Sequence, residues 1–149
     1  MTAAHPLLID YRVVIEHTIM WGEMDALEHV NNTAYFRWFE TARVAYFDQL
    51  GFRIDGETGL GPILASTSCR FRLPLTYPDR VLIGSRVTDV GADRFTMLHR
   101  AVSLRLDAVA AEGEGVVVCY DYGNRRKAGL PPELTARIIE LEGTARTTP

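Results

Sequence analysis

The segment Trp21-Gly22-Glu23-Met24-Asp25-Ala26-Leu27-Glu28-His29-Val30-Asn31-Asn32-Thr33-Ala34-Tyr35 places four ionisable side chains, Glu23, Asp25, Glu28 and His29, within seven residues. A carboxylate such as Asp25 can attack a carbonyl carbon directly or take a proton from an attacking water. The helical pattern that begins near Asn32 adds unpaired backbone N–H groups and the positive end of a helix dipole, which stabilise a developing oxyanion. Together these groups suit acyl transfer. By spacing alone the segment also fits a solvated acidic turn. A metal site from Glu23, Asp25 and His29 would need three mixed ligands from one short loop, a set without a known geometry. His29 has two readings, orienting a substrate or fixing the loop through a backbone hydrogen bond.

These groups need a scaffold, and the flanking periodicities describe one. Tyr11 to Met20 is rich in β-branched residues, with Tyr11, Val13, Ile15 and Ile19 on one alternating face, and predicts a first strand. From about Asn32 to Leu50, Tyr35, Phe36, Phe39, Ala42, Tyr46, Phe47 and Leu50 recur at steps of three and four, and Gly51 follows as a helix-ending residue. This is the long helix, with Glu40 and Arg43 expected as a surface pair. A Gly-rich connection at Gly56–Gly61 leads into extended runs at Ile63–Arg72, Arg80–Val90, Arg94–Leu106 and Ala110–Tyr122, separated by turn signals that imply hairpins. Pro131 and Pro132 open a short helix over Glu133–Leu141. The order predicts an α+β fold in which a curved antiparallel sheet of about five strands wraps a long central helix. Such a sheet leaves an edge, best covered by a second copy, so a dimer with a continuous sheet is expected.

The chain of 149 residues with no repeat or linker reads as one domain over residues 1–149, its core spanning about 11–141 and its ends, Met1–Leu8 and Gly143–Pro149, loose. A formal charge of −3 offers no electrostatic footprint for nucleic acid or an anionic membrane. Asp10, Arg12, Glu16 and His17 interrupt the first apolar stretch, against a signal peptide or spanning helix, so a cytoplasmic protein is expected. Cys69 and Cys119 lack metal-ligand spacing and read as buried thiols of a reducing compartment.

The Trp21–Asn32 stretch, followed by Tyr35, Phe39, Glu40, Ala42 and Arg43, resembles the signature of hotdog-fold acyl-CoA thioesterases of the 4-hydroxybenzoyl-CoA thioesterase type. In that family it runs aromatic, Gly, Asp, any residue, Asp, two residues, then Gly-His-Val-Asn-Asn, with Tyr, Glu and Ala-Arg along the helix. The resemblance continues through Arg70-Phe71-Arg72 to Leu75, Asp79 and Val81, and through Asp121-Tyr122 and Arg125 to Pro131-Pro132, covering about Tyr11 to Leu141. It implies dimers or tetramers with active sites at the subunit interface, an acyl-CoA substrate, and neither metal nor redox cofactor. By the same likeness Asp25 is the catalytic carboxylate, the backbone N–H of Asn32 the oxyanion donor, and Glu23 a supporting acid. His29, Asn31 and Tyr35 shape the substrate site.

One departure stands out. Where the family has Gly before the His, this chain has Glu28, expected to strain or shift the loop if the position needs a positive φ, and to add a carboxylate at the pocket mouth. Arg125, Arg126 and Lys127, the densest basic cluster, are candidates for the coenzyme A phosphates, and Arg70 and Arg72 could serve the same end from a neighbouring subunit. Trp38, Phe39, Tyr46 and Phe47 read as core, and His17 and His99 as structural histidines. Two other functions compete with the thioesterase. One is a hotdog hydratase or dehydratase, though the Asp-Asn-Pro-His type motif is lacking. The other is a non-catalytic acyl-CoA-binding module whose turn Glu28 has spoiled.

Overall fold

The computed structural model describes residues 4–143. Its strands are β1 (Val13–Thr18), β2 (Leu60–Phe71), β3 (Arg80–Val90), β4 (Arg94–Ser103), β5 (Ala108–Asp121) and the two-residue β6 (Arg126–Lys127). The helices are α1 (Asn32–Leu50) and α2 (Pro132–Gly143), with single 3-10 turns at Pro6–Leu8 and Trp21–Glu23. All strand pairings are antiparallel, in the order β1-β3-β4-β5-β2, with β6 appended to β5. The sheet curls around α1, so this is the expected α+β hotdog architecture.

Strand alternation decides which side chains meet the helix. Val81, Ile83 and Val87 of β3, Phe95, Met97 and Ala101 of β4, and Ala111, Val117 and Cys119 of β5 are buried against Tyr35, Trp38, Phe39, Ala42, Tyr46 and Leu50 of α1. Burying an aromatic ring such as Phe39 contributes about 2–3 kcal/mol. That ring lies so close to β5 that a Cβ on Gly113 would fall 2.5 Å from it, so only glycine lets helix and sheet approach this far. Asn31 caps α1 by accepting from the Thr33 N–H at 2.9 Å. Gly51, at φ 67, closes the other end, where the Phe52 N–H reaches the Phe47 carbonyl at 3.0 Å.

The structure corrects three expectations. The N-terminal residues from His5 to Leu8 are not loose. Leu8 is buried, the Leu7 carbonyl accepts from Arg100 Nη1 at 2.9 Å, and Leu8 and Tyr11 pack on the outer face of the sheet over Gly84. Leu8, read in sequence as the end of a loose arm, thus covers apolar surface that the curled sheet would otherwise expose. Arg43 is not half of a surface pair. It is 6% exposed, its Nε lacks a partner among the described residues, and its guanidinium lies over Gly115, because the helix turns this position inward. Helix α2 runs on to Gly143, since Glu142 accepts from the Tyr46 hydroxyl and, at 2.9 Å, from the Val87 N–H. Residues 144–149 of the expected loose tail lie outside the described residues.

Strand boundaries shift modestly. Strand β1 is shorter than the Tyr11–Met20 run, β2 starts inside the Gly-rich connection, β4 stops at Ser103, and β5 covers Ala108–Asp121. The 12-residue β2 is an edge strand exposing Ile63, Leu64 and Phe71. Cys69 and Cys119 are free thiols.

Candidate active site

The acidic loop is folded by its own backbone. Met24 and Val30 form an antiparallel bridge, the Asp25 N–H donates to the His29 carbonyl at 3.0 Å, and the Glu28 N–H donates to the Asp25 carbonyl at 2.9 Å. This is a three-residue hairpin loop, whose closing residue must be left-handed. Glu28 is that residue, with φ 63. Glu28 thus holds a left-handed conformation that glycine would adopt freely, at a cost of about 1 kcal/mol in backbone strain. The loop is stitched to the chain after β2 by the Val30 N–H, which donates to the Leu75 carbonyl at 2.8 Å.

The Asp25 carboxylate is fixed at both oxygens. Oδ1 accepts from the Leu27 N–H at 2.9 Å and Oδ2 from Asn31 Nδ2 at 3.3 Å. Asn31 Oδ1 accepts from both the N–H and, at 2.7 Å, the hydroxyl of Thr33, so one amide ties the carboxylate to the helix start. At that start the Asn31 N–H donates to the Glu23 carbonyl and the Ala34 N–H to the Asn31 carbonyl. The Asn32 N–H is left without an acceptor among the described residues.

Asp25, His29, Asn32 and Tyr35 line one cleft of about 370 Å³, completed by Leu27, Val30, Phe71, Arg72, Leu73 and Pro74. The cleft thus holds a carboxylate, an imidazole and an unpaired helix-end donor beside an apolar wall. The Tyr35 ring is wedged between Trp38 and Phe71, at centroid distances of 4.7 and 5.1 Å. Burial pushes its phenol up to about 12, which keeps it a neutral donor.

Other candidate residues fall elsewhere. The Glu23 carboxylate is outside the cleft and accepts from His17 Nε2 at 2.9 Å, the Met20 N–H at 2.8 Å and Trp38 Nε1 at 2.8 Å. Burial would raise its pKa, but these donors outweigh it and hold the carboxyl below its ordinary range. Glu23 therefore anchors the loop to α1 and β1, and it is not among the residues that line the cleft. Asn31 likewise spends its side chain on positioning. Among the described residues no three His, Cys, Asp or Glu side chains group as metal ligands. Arg125, Arg126 and Lys127 sit beside Tyr120 and Asp121, whereas the cleft lies where Phe71 pairs with Ala111. Ten residues of β5 separate the two places, about 33 Å of strand. Within one chain the basic cluster does not reach the cleft.

The sequence reading did not assign Phe71, Leu73 and Pro74 to the site. Their signal was Pro74, a turn residue three positions beyond the end of β2 and next to Leu75, whose carbonyl holds Val30 of the loop.

A family model for the thioesterase-like superfamily matches residues 19–138. Among solved structures, a thioesterase from Thermus thermophilus complexed with coenzyme A and Zn is 28% identical, with a TM-score of 0.78 over 90% of this chain and 97% of that one. A thioesterase-superfamily structure from Jannaschia sp. CCS1 is 27% identical, with a TM-score of 0.78 over 87% of this chain and 82% of that one. A chloroplastic acyl-acyl carrier protein thioesterase of Arabidopsis thaliana is 22% identical over 121 residues, 80% of this chain. The chain spans 63% of the length of that plant relative.

Proposed function

The chain belongs to the thioesterase-like superfamily, and on that premise we propose that it hydrolyses acyl-CoA thioesters to the free acid and coenzyme A. The observation that carries this reading is the shared cleft, which Asp25, with its oriented carboxylate, and Asn32, whose N–H has no acceptor among the described residues, both line. The thioester carbonyl sits with its oxygen toward Asn32. Asp25 either adds to the carbonyl carbon, giving an anhydride that water then hydrolyses, or removes a proton from the water that adds there. In both routes the C–S bond breaks, and the thiolate leaves and is protonated to the thiol. The helix-end donor stabilises the oxyanion by about 3–4 kcal/mol, the scale of one well-aimed donor. His29 and Tyr35 shape the acyl side of the cleft. The reaction needs no cofactor and no metal.

The working unit is a homodimer or a tetramer built from it, with the sites at the interface. Edge strand β2, with Ile63 and Leu64 exposed, supports pairing with a second copy to continue the sheet. Antiparallel pairing would set the Leu60 end of one β2 beside the Phe71 end of the other. That arrangement would bring Arg125, Arg126 and Lys127 of one copy toward the cleft of the other, as phosphate contacts. The free thiols of Cys69 and Cys119 support a cytoplasmic setting. No helix among the described residues is long and apolar enough to cross a membrane. The closed hairpin around Glu28 speaks for catalysis over the binding-module alternative, because Asp25 and His29 stay paired through the backbone.

The test is thiol release from a panel of aromatic, short-chain and long-chain acyl-CoAs by the wild type and by Asp25→Asn. Asp25→Asn should lower kcat roughly a hundred- to ten-thousandfold while leaving the fold unchanged. Thermal stabilisation by acyl-CoA with no release from any member would refute hydrolysis.

A further inference from the structure

Arg72 belongs to two cavities. It lines the Asp25 cleft, and it also lines a groove of about 350 Å³ on the outer face of the sheet with Ser68, Arg70, Leu98, Glu112 and Glu114. One side chain therefore joins the candidate active site to a surface channel. It is held there by a relay of charges. Arg72 Nε and Nη2 donate to Glu112 Oε1 at 2.9 and 2.8 Å. Glu112 Oε2 accepts from Arg100 Nη2 at 3.0 Å. Arg100 is fixed in turn by the Leu7 carbonyl at 2.9 Å and lies 5.2 Å from the centre of the Tyr11 ring. Burial raises the Glu112 pKa, but the two arginines outweigh it and keep the group ionised.

Donor arithmetic shows what remains. A guanidinium has five N–H groups, and Glu112 uses the edge formed by Nε and Nη2, so among the described residues the end formed by the two Nη nitrogens is still free to grip a second anion. Charge points the same way, because Arg70, Arg72 and Arg100 surround the single carboxylate of Glu112, with Glu114 further along the groove. The Arg72–Glu112 pair is half exposed on the arginine side, and such pairs add at most about 1 kcal/mol to stability. Fold stability therefore gives little reason for a relay that fixes the direction of one surface arginine at the mouth of the cleft.

We infer that Arg72 binds the phosphate of the phosphopantetheine arm of the thioester, with Glu112 and Arg100 as positioning residues that aim it. This rests on the thioesterase reading. The same phosphate ester occurs in coenzyme A and in the prosthetic group of an acyl carrier protein, so the experiment separates the two sources.

Initial rates would be measured with one acyl group on coenzyme A, on carrier-bound phosphopantetheine, and on pantetheine without phosphate. The variants are Arg72→Gln, Arg72→Lys and Glu112→Gln, with free coenzyme A binding followed by calorimetry. Arg72→Gln should raise KM about tenfold for a phosphate-bearing thioester, with kcat kept and the pantetheine thioester unaffected. Arg72→Lys should recover part of the loss, and Glu112→Gln should raise KM in the same selective way. The source whose KM responds is the one bound. Equal effects on the pantetheine and phosphate-bearing thioesters, or none on any, would overturn the proposal. If the wild type cleaves no thioester, the thioesterase reading fails separately. Calorimetry then decides Arg72: tenfold weaker coenzyme A binding by Arg72→Gln supports it, while unchanged or absent wild-type binding refutes it.

Discussion

His99 should make the fold acid-sensitive in a calculable way. The imidazole is 1% exposed, shares a hydrogen bond with Ser85 Oγ at 2.8 Å through Nδ1, and stacks on Phe39 at 5.3 Å. Among the described residues its Nε2 has no partner, and the charged neighbour facing it is the Arg43 guanidinium. Burial first, and the Arg43 charge second, push its pKa down from 6.5 to about 3. The unfolded chain therefore takes up a proton at pH values where the folded chain does not. Stability from this residue is whole above pH 6.5 and falls by about 1.4 kcal/mol per pH unit below it, until the folded imidazole itself titrates. At pH 5.0 the loss is about 2 kcal/mol. Urea unfolding of wild type and His99→Gln at pH 7.5 and 5.0 isolates this effect, since Glu23 and Glu112 titrate alike in both proteins. The wild type should lose about 2 kcal/mol more than the variant over that interval. Equal losses in the two proteins would refute the assignment of a buried neutral imidazole.

Three further outcomes follow from particular contacts. Glu28→Gly should raise the thermal midpoint by about 1–2 °C, because relief of left-handed strain exceeds the added entropy of glycine by roughly 0.5 kcal/mol, and should leave turnover intact. Gly113→Ala should cost about 1–3 kcal/mol in urea unfolding, since its Cβ would fall 2.5 Å from the Phe39 ring. Ile63→Lys combined with Leu64→Lys should convert the assembly to a monomer in sedimentation velocity and lower thiol release with it, if the exposed β2 edge carries the interface.

The long helix was legible almost residue for residue because two local signals agree on it. Asn31 offers a cap, Gly51 offers the left-handed exit, and the aromatic residues between them keep one period. Strand β3 was equally plain, being bounded by Asp79 and Gly91. Arg43 was not legible, because a charged side chain at a helical position is assigned to solvent unless the opposing strand is known to carry Gly115. The packing of Leu8 and Tyr11 was hidden for a similar reason, since it depends on Gly84 from a strand more than seventy residues away. At the site, the loop and the helix start could be read from sequence, whereas Phe71, Leu73 and Pro74 arrive through tertiary pairing of Val30 with Leu75.

Asn31 links the stability of the fold to the placement of the candidate nucleophile. Its carbonyl oxygen Oδ1 satisfies the Thr33 N–H, and its Nδ2 holds Asp25 Oδ2, so the same amide that starts α1 also sets the distance between the carboxylate and the open Asn32 N–H. A cap alone could be Ser, Thr or Asp, and each would stabilise the helix about as well. None of these keeps the amide donor aimed at Asp25, and Asp would set a second negative charge against it. The requirement at this position is therefore double, an acceptor for the helix and a donor for the carboxylate carried on two separate atoms, and asparagine is the shortest side chain that holds the two apart. Asn31→Asp should accordingly retain most of the helix stability while lowering kcat, and Asn31→Ala should lose both. A variant that caps well and turns over at the wild-type rate would show that Asp25 needs no such tether.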